Sequence, residues 1–170
     1  ISHLQAWETA HRSFRYGGVV LLRSDYSDKY YQPFPAGRRF IADPLEKKTP
    51  GWPDPHPDAM EYLCRRQVFH IGTDSPSMGP IPDLAEPTHY AALKHGAIFT
   101  EGATGLGKLP TTGAFYCQMG PEHKDGPYGE SRAFAIVGEP LAGRLIESAR
   151  NKRVLDLSVV NSIDHPLTWP

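Results

Sequence analysis

The residues of this chain best suited to chemistry are His89 and Glu101, in the segment THYAALKHGAIFTEG. An imidazole nitrogen and a carboxylate oxygen are both ligands for divalent metals. The segment predicts a short helix over residues 88–95 that ends at Gly96, followed by an apolar strand, AIFT, leading to Glu101. The helix advances about 10 Å at ~1.5 Å per residue, and the strand at ~3.3 Å per residue returns about as far. The two side chains are therefore predicted to face each other, although this spacing also fits a helix cap and a solvated charge.

The elements around this pair predict an α/β protein. Seventeen prolines and sixteen glycines divide the chain into short elements. We predict an opening helix from Leu4 to Phe14, a buried strand VVLLR, an irregular segment from Tyr26 to Pro57, and a helix capped by Asp58 that leads into the strand VFHIG. The segments AIFTEG, GAFYCQM and RAFAIVG are expected to complete one sheet with helices packed on it.

Composition limits the classes of partner. The chain has 170 residues, 39% hydrophobic and 22% charged, which is enough for a buried core. Its 18 basic and 19 acidic residues give a net charge of −1 without a basic block, so neither nucleic acid nor a membrane surface is predicted as a partner. No apolar run approaches the roughly 18 residues that span a bilayer. A cytoplasmic location is favoured, and Cys64 and Cys117 are expected to be buried free thiols.

Five segments occur in an order that is characteristic of one family. They are GGVVLLRSDYSDKYY, DAMEYLCRRQVFHIGTDSPSMGP, THYAALKHGAIFTEG, GLGKLPTTGAFYCQM and GESRAFAIVGEP. Together they resemble the cyclase family of metal-dependent hydrolases, which includes the bacterial kynurenine formamidases. The resemblance covers residues 1–140 and implies a cyclase-type, swivelling β/β/α-like sheet with packed helices.

The resemblance also implies part of a metal site. In the family, a helix histidine and a glutamate twelve residues later bind the metal, and these positions match His89 and Glu101. The family's other ligands come from an H-x-G-T-H-x-D-x-P segment with a further histidine as general acid or base, and these are expected outside this chain. HIGTDSP at residues 70–76 reads like that motif without its second histidine. It matches a later turn of the family better, so His70 is predicted to be a packed strand residue.

Three further residues are candidates for the substrate pocket. Asp74 and Ser77 follow a central strand and could line the pocket, but both residue types also satisfy backbone groups in turns. Arg132 matches an arginine of the family and could anchor a carboxylate, or it could pair with a neighbouring acid. His95, in the last turn of the His89 helix, is expected to stabilise the end of that helix.

The implied activity is hydrolysis at a divalent metal, Zn²⁺ or Mn²⁺. Such a metal lowers the pKa of bound water toward ~7 and provides a nucleophile for an amide, formamide, cyclic amide or lactone carbonyl. A complementary polypeptide or a missing segment would supply the remaining ligands, in an oligomer. Two alternatives are a non-catalytic structural or regulatory subunit and a small-molecule binding module that has lost its chemistry.

The end of the chain suggests further organisation. Residues 141–153, LAGRLIESARNKR, are predicted to be a helical linker. Residues 154–170 contain a D-L-S strand and a Trp-Pro end that resemble the start of a second cyclase-like unit; they fit a C-terminal edge strand as well. Together with Ile1 in place of an initiator methionine, this leads us to expect a processed or incompletely represented chain.

Overall fold

The computed structural model of the chain describes residues 1–81, 85–121, 124, 126 and 128–151. It divides into two compact units, residues 1–108 and 109–170. His89 and Glu101 both belong to the first unit.

The first unit combines short helices with a three-stranded parallel sheet. Its helices are α1 (Ser2–Ala10), α2 (Tyr26–Tyr30), α3 (Ala42–Leu45), α4 (Pro57–Arg65) and α5 (Ala85–Leu93). Its strands are β1 (Val19–Leu22), β2 (His70–Thr73) and β3 (Ile98–Thr100), in the order β1-β2-β3. Parallel strands place their carboxyl ends at one edge of the sheet, where ligand sites of α/β proteins commonly lie. Glu101 follows β3 at this edge.

The core of the first unit lies between the sheet and the helices α4 and α5. Its buried side chains are those of Met60, Leu63, Cys64, Val68, Ile71, Met78, Ala91, Ala92 and Ala97. Met60 and Leu63 lie three positions apart on α4, which places them on one face of the helix. The small residues Ala91 and Ala92 on α5 allow this helix to pack closely against α4.

Helix α1 is fastened to α4 through Glu8. The Glu8 carboxylate accepts hydrogen bonds from the Tyr62 hydroxyl at 2.5 Å, from Arg66 Nε at 2.9 Å and from the Phe14 N–H at 2.9 Å. Burial alone raises the pKa of Glu8, but these three hydrogen bonds and the Arg66 charge outweigh it and hold the pKa below its ordinary value. The ionised form of Glu8 therefore stabilises the packing of α1.

Three predictions about the first unit need correction. The opening helix ends at Ala10, so Phe14 lies beyond it and packs against the core. The segment 26–57 contains α2, a 3₁₀ turn (Ala36–Arg39) and α3, because local turns satisfy its backbone groups between the prolines.

Helix α4 is capped by His56 and not by Asp58, whose N–H donates to His56 Nδ1. Pro57 occupies the first helical position, which places the cap at His56, two residues before Asp58.

The second unit contains an antiparallel strand pair and a helix. The strands β4 (Phe115–Met119) and β5 (Arg132–Ile136) pair with Phe115 opposite Ile136, and α6 (Leu141–Arg150) follows. These two strands were predicted to extend the parallel sheet, but among the described residues they form a sheet of their own. The predicted linker 141–153 begins as α6. The predicted strand in residues 154–170 lies outside the described residues.

Two further predictions concern the chain as a whole. No helix in the described part of the chain is both long and apolar enough to cross a membrane. Cys64 and Cys117 are both free thiols; Cys64 is buried as predicted, whereas Cys117 is only half-buried.

Candidate metal site

The local sequence explains how His89 and Glu101 come together. Helix α5 carries His89 and ends at Leu93, and the chain then turns through Gly96, whose φ of +76° is a left-handed conformation that favours glycine. The Ile98 N–H donates to the Phe69 carbonyl at 2.7 Å, which aligns β3 beside β2. The predicted helix, turn and strand are thus confirmed, although α5 begins and ends earlier than residues 88–95.

The two side chains are in direct contact. His89 Nε2 lies 3.1 Å from Glu101 Oε1, and the same oxygen accepts a 2.6 Å hydrogen bond from the Met78 N–H. The Phe99 ring packs edge-on against the imidazole, with ring centroids 5.4 Å apart and planes at 77°. The side chains of His89 and Glu101 are 25% and 34% exposed, so both remain accessible to a ligand.

An open depression borders His89. It has a volume of about 520 Å³ and is lined by Pro87, His89, Tyr90 and Leu93. The Tyr90 and Leu93 side chains are exposed on its rim. The arrangement places a polar pair beside an apolar surface, which is a common feature of small-molecule sites.

Asp74 acts as a structural clamp at the carboxyl end of β2. Only 2% of Asp74 is exposed. Its carboxylate accepts hydrogen bonds from the Ser24 N–H at 2.8 Å, the Ser24 hydroxyl at 2.5 Å and the Asp25 N–H at 2.6 Å. Its carbonyl accepts two more from Ser27. Asp74 thus satisfies turn groups, the second of the two roles that the sequence allowed, and its place in a substrate pocket stays a prediction.

The turn that follows Asp74 also contacts the segment around Glu101. The Gly102 N–H donates to the Ser75 carbonyl at 2.8 Å, and the Ala103 N–H donates to the Thr73 carbonyl at 3.1 Å. Ser75 in turn donates through its hydroxyl to the Pro53 carbonyl. Ser77 is half-buried in this turn, close in sequence to Met78. Its predicted role in the pocket stays untested.

The other histidines of the first unit near these elements have structural contacts. His70 is half-buried in β2, with Nε2 2.9 Å from Thr100 Oγ1, which agrees with its prediction as a packed strand residue. His95 lies beyond the end of α5, with Nε2 3.0 Å from Glu61 Oε2. It was expected to stabilise its own helix end, but it joins α5 to α4 instead, because Glu61 offers a full charge at the required position.

Arg132 lies in the second unit. It is the first residue of β5, is exposed, and is paired in register with Met119 of β4. Its predicted part in anchoring a carboxylate stays a prediction.

Comparison with known proteins shows which family and which relatives this chain is similar to. Residues 1–80 match the family described as "Putative cyclase". An isatin hydrolase from Roseibium aggregatum is 27% identical over 139 residues, which are 79% of this chain and 50% of that protein. The predicted resemblance to the cyclase family is thus confirmed.

Solved structures confirm the predicted cyclase-type fold. An isatin hydrolase bound to the product analogue thioisatinate superposes with a TM-score of 0.67 at 24% identity, covering 81% of this chain and 52% of that one. Isatin hydrolase A from Labrenzia aggregata, bound to benzyl benzoate, gives a TM-score of 0.59 at 24% identity, covering 81% and 53%. The chain spans about half the length of the relatives that it matches.

The donor pair fits a divalent metal as two of its ligands. Two ligands held ~2.0 Å from Zn²⁺ in a tetrahedral arrangement lie about 3.3 Å apart, and Nε2 and Oε1 are 3.1 Å apart. Among the described residues, no group of three or more histidine, cysteine or acidic side chains is placed to hold a metal. The described chain thus offers two metal-binding side chains at one point, and their assignment as ligands stays a prediction.

Sequence reasoning missed one participant in this site, the Met78 N–H. A main-chain N–H leaves no signal in the residue type, and the Met78 side chain is buried in the core of the structure. The only available hint was the position of the turn DSPSMGP at the carboxyl end of a central strand.

Proposed function

We propose that this chain supplies part of the active site of a metal-dependent hydrolase that acts on the carbonyl of an amide, formamide, cyclic amide or lactone. The observation that carries the proposal is the contact between His89 Nε2 and Glu101 Oε1 at the carboxyl edge of the sheet, beside an open apolar depression. The match of residues 1–80 to the cyclase family supports a hydrolase. The isatin hydrolases among the relatives act on a cyclic amide, so isatin is the first substrate to test.

The metal is proposed to be Zn²⁺ or Mn²⁺, held in part by His89 and Glu101. A bound divalent metal would supply Lewis-acid polarisation of the carbonyl and water of lowered pKa. His89 would bind it as a neutral imidazole, and the Phe99 ring holds the orientation of this imidazole. Glu101 would supply negative charge that favours a cation at this point.

The remaining ligands and the general acid or base are proposed to come from a complementary polypeptide or another segment of the protein, in an oligomeric assembly. Two side-chain ligands are fewer than the three that catalytic zinc sites use. The depression lined by Pro87, Tyr90 and Leu93 would then accept the apolar part of the substrate, since it adjoins the imidazole directly.

A second candidate function is a non-catalytic structural or regulatory subunit of a cyclase-like complex. It is favoured by the finding that only two metal-binding side chains meet at the site within the described part of the chain. In this alternative the His89–Glu101 contact is a hydrogen bond that stabilises the packing of α5 on β3.

Activity measurements on the native assembly, loaded with Zn²⁺ or Mn²⁺, separate the two candidates. The substrates would be isatin, N-formylkynurenine and a simple lactone, compared in wild type, His89→Ala and Glu101→Ala. His95→Ala is the matched control, since it removes a histidine near the same helix that contacts Glu61 instead. The hydrolase proposal expects turnover that falls at least 100-fold in both site variants and less than threefold in the control. Equal turnover in wild type and Glu101→Ala would contradict it.

A further inference from the structure

One oxygen of Glu101 receives two hydrogen-bond contacts. Oε1 accepts the Met78 N–H at 2.6 Å and lies 3.1 Å from His89 Nε2. Both contacts share this carboxylate oxygen, and the Met78 contact is the shorter of the two. The carboxylate orientation is therefore set mainly by a backbone group.

This backbone group is itself held firmly. The Met78 side chain is fully buried in the core of the first unit. Its turn begins at Asp74, which is clamped by Ser24 and Asp25, and continues through Ser75, whose carbonyl accepts the Gly102 N–H. The turn thus bonds the chain immediately after Glu101 as well as the Glu101 side chain.

We propose that the Met78 main-chain N–H is a positioning group that selects the rotation of the Glu101 carboxylate and directs Oε1 to His89. The last torsion of a glutamate side chain has a broad energy profile, so a free carboxylate samples many rotations. A fixed N–H donor removes this freedom. The consequence for a metal ligand rests on the proposed function, because hydrogen bonds to ligating carboxylates orient them and their loss commonly weakens metal binding 10–100-fold.

The orientation itself is testable without metal, by amide hydrogen exchange on the full chain. We expect the Met78 amide to exchange about tenfold or more faster in Glu101→Ala than in wild type, because a hydrogen bond to a charged group is lost. Glu101→Gln retains a side-chain oxygen acceptor and should keep most of the protection. The Ala103 amide, which bonds the Thr73 carbonyl, reports on the integrity of the turn and should change less than threefold. An unchanged Met78 exchange rate in Glu101→Ala would overturn the inference.

A test of the effect on metal binding requires a chain in which only the main-chain N–H of residue 78 is removed. Residues 64–116 begin at Cys64 and precede Cys117, so a synthetic segment can be joined into the full chain at two native cysteines. The reference chain carries Met78→Leu. The second chain carries the α-hydroxy acid of leucine at this position and is called the ester chain, because the amide bond becomes an ester. The two chains differ only in an N–H replaced by oxygen, while the side chain still fills the core.

Affinity for Zn²⁺ alone, measured by chelator competition, is expected to fall 10–100-fold in the ester chain relative to the Met78→Leu chain. If the two chains unfold at the same temperature, the change in Zn²⁺ affinity is not caused by a loss of structure. Equal Zn²⁺ affinity would overturn the role of Met78 in metal binding. If neither chain binds Zn²⁺ even in the assembly that supplies the remaining ligands, while the Met78 amide still depends on Glu101, the proposed function fails and the positioning role of Met78 is supported.

Discussion

Replacing Asp74 tests the clamp at the carboxyl end of β2. Asp74→Ala removes the acceptor of three hydrogen bonds, from the Ser24 N–H, the Ser24 hydroxyl and the Asp25 N–H. Hydrogen bonds to charged groups contribute roughly 1.5–3 kcal/mol each. Ser24 and Asp25 are exposed residues, so water recovers part of the loss. The two Ser27 bonds to the Asp74 carbonyl persist, and we therefore expect a net loss of about 3 kcal/mol.

This loss is large against a total folding free energy of roughly 5–15 kcal/mol. It corresponds to a fall in the melting temperature of roughly 6–12 °C for a chain of this size. The assay is denaturant unfolding followed by circular dichroism, with Ser77→Ala as the control in the same turn. Ser77 is half-buried, and its substitution should cost less than ~0.5 kcal/mol. If Asp74→Ala unfolds at the wild-type midpoint but loses ligand binding, Asp74 belongs to the substrate pocket and the clamp reasoning is wrong.

Three further predictions concern α1, the central strand and the thiols. The pKa of Glu8 is lowered in the folded state. The ionised carboxylate therefore stabilises the fold above the ordinary value of 4.5, and this stabilisation is lost as the pH falls through the lowered pKa. The free energy of unfolding should depend less on pH below 4.5 in Glu8→Gln than in wild type. Gly72→Ala should cost about 1–3 kcal/mol in denaturant unfolding, because the added Cβ would lie 2.5 Å from Leu21 Cδ2, and a wild-type midpoint would contradict this packing. Burial raises the pKa of the Cys64 thiol, so Cys117 should react first with a thiol reagent in the folded protein, and faster labelling of Cys64 would contradict the buried position.

The sequence was informative where one residue type determines one local conformation. The apolar runs identified the strands, and Gly96 marked the turn between the His89 helix and β3 because its left-handed backbone favours glycine. These local features placed His89 opposite Glu101 before any tertiary contact was considered. The His–Glu contact could therefore be predicted from spacing alone, although its chemistry could not.

Features that depend on the partner of a segment could not be predicted in this way. An apolar strand carries no information on whether its neighbour is parallel or antiparallel, and β4 and β5 were wrongly joined to the main sheet. His95 was assigned to its own helix because the position of Glu61 on α4 is a tertiary fact. The Met78 N–H was missed for the same reason, since every residue except proline carries such a donor.

The central claim is that His89 and Glu101 hold a metal within an assembled site. Elemental analysis of the purified native assembly, together with its intact mass, tests this most directly, in wild type and in Glu101→Ala. The account predicts about one or two Zn or Mn per assembled site in wild type, a strong loss of metal in the variant, and additional polypeptide that supplies the remaining ligands. A 170-residue chain that purifies alone and without metal in both forms would contradict the claim and leave only the cyclase-type fold.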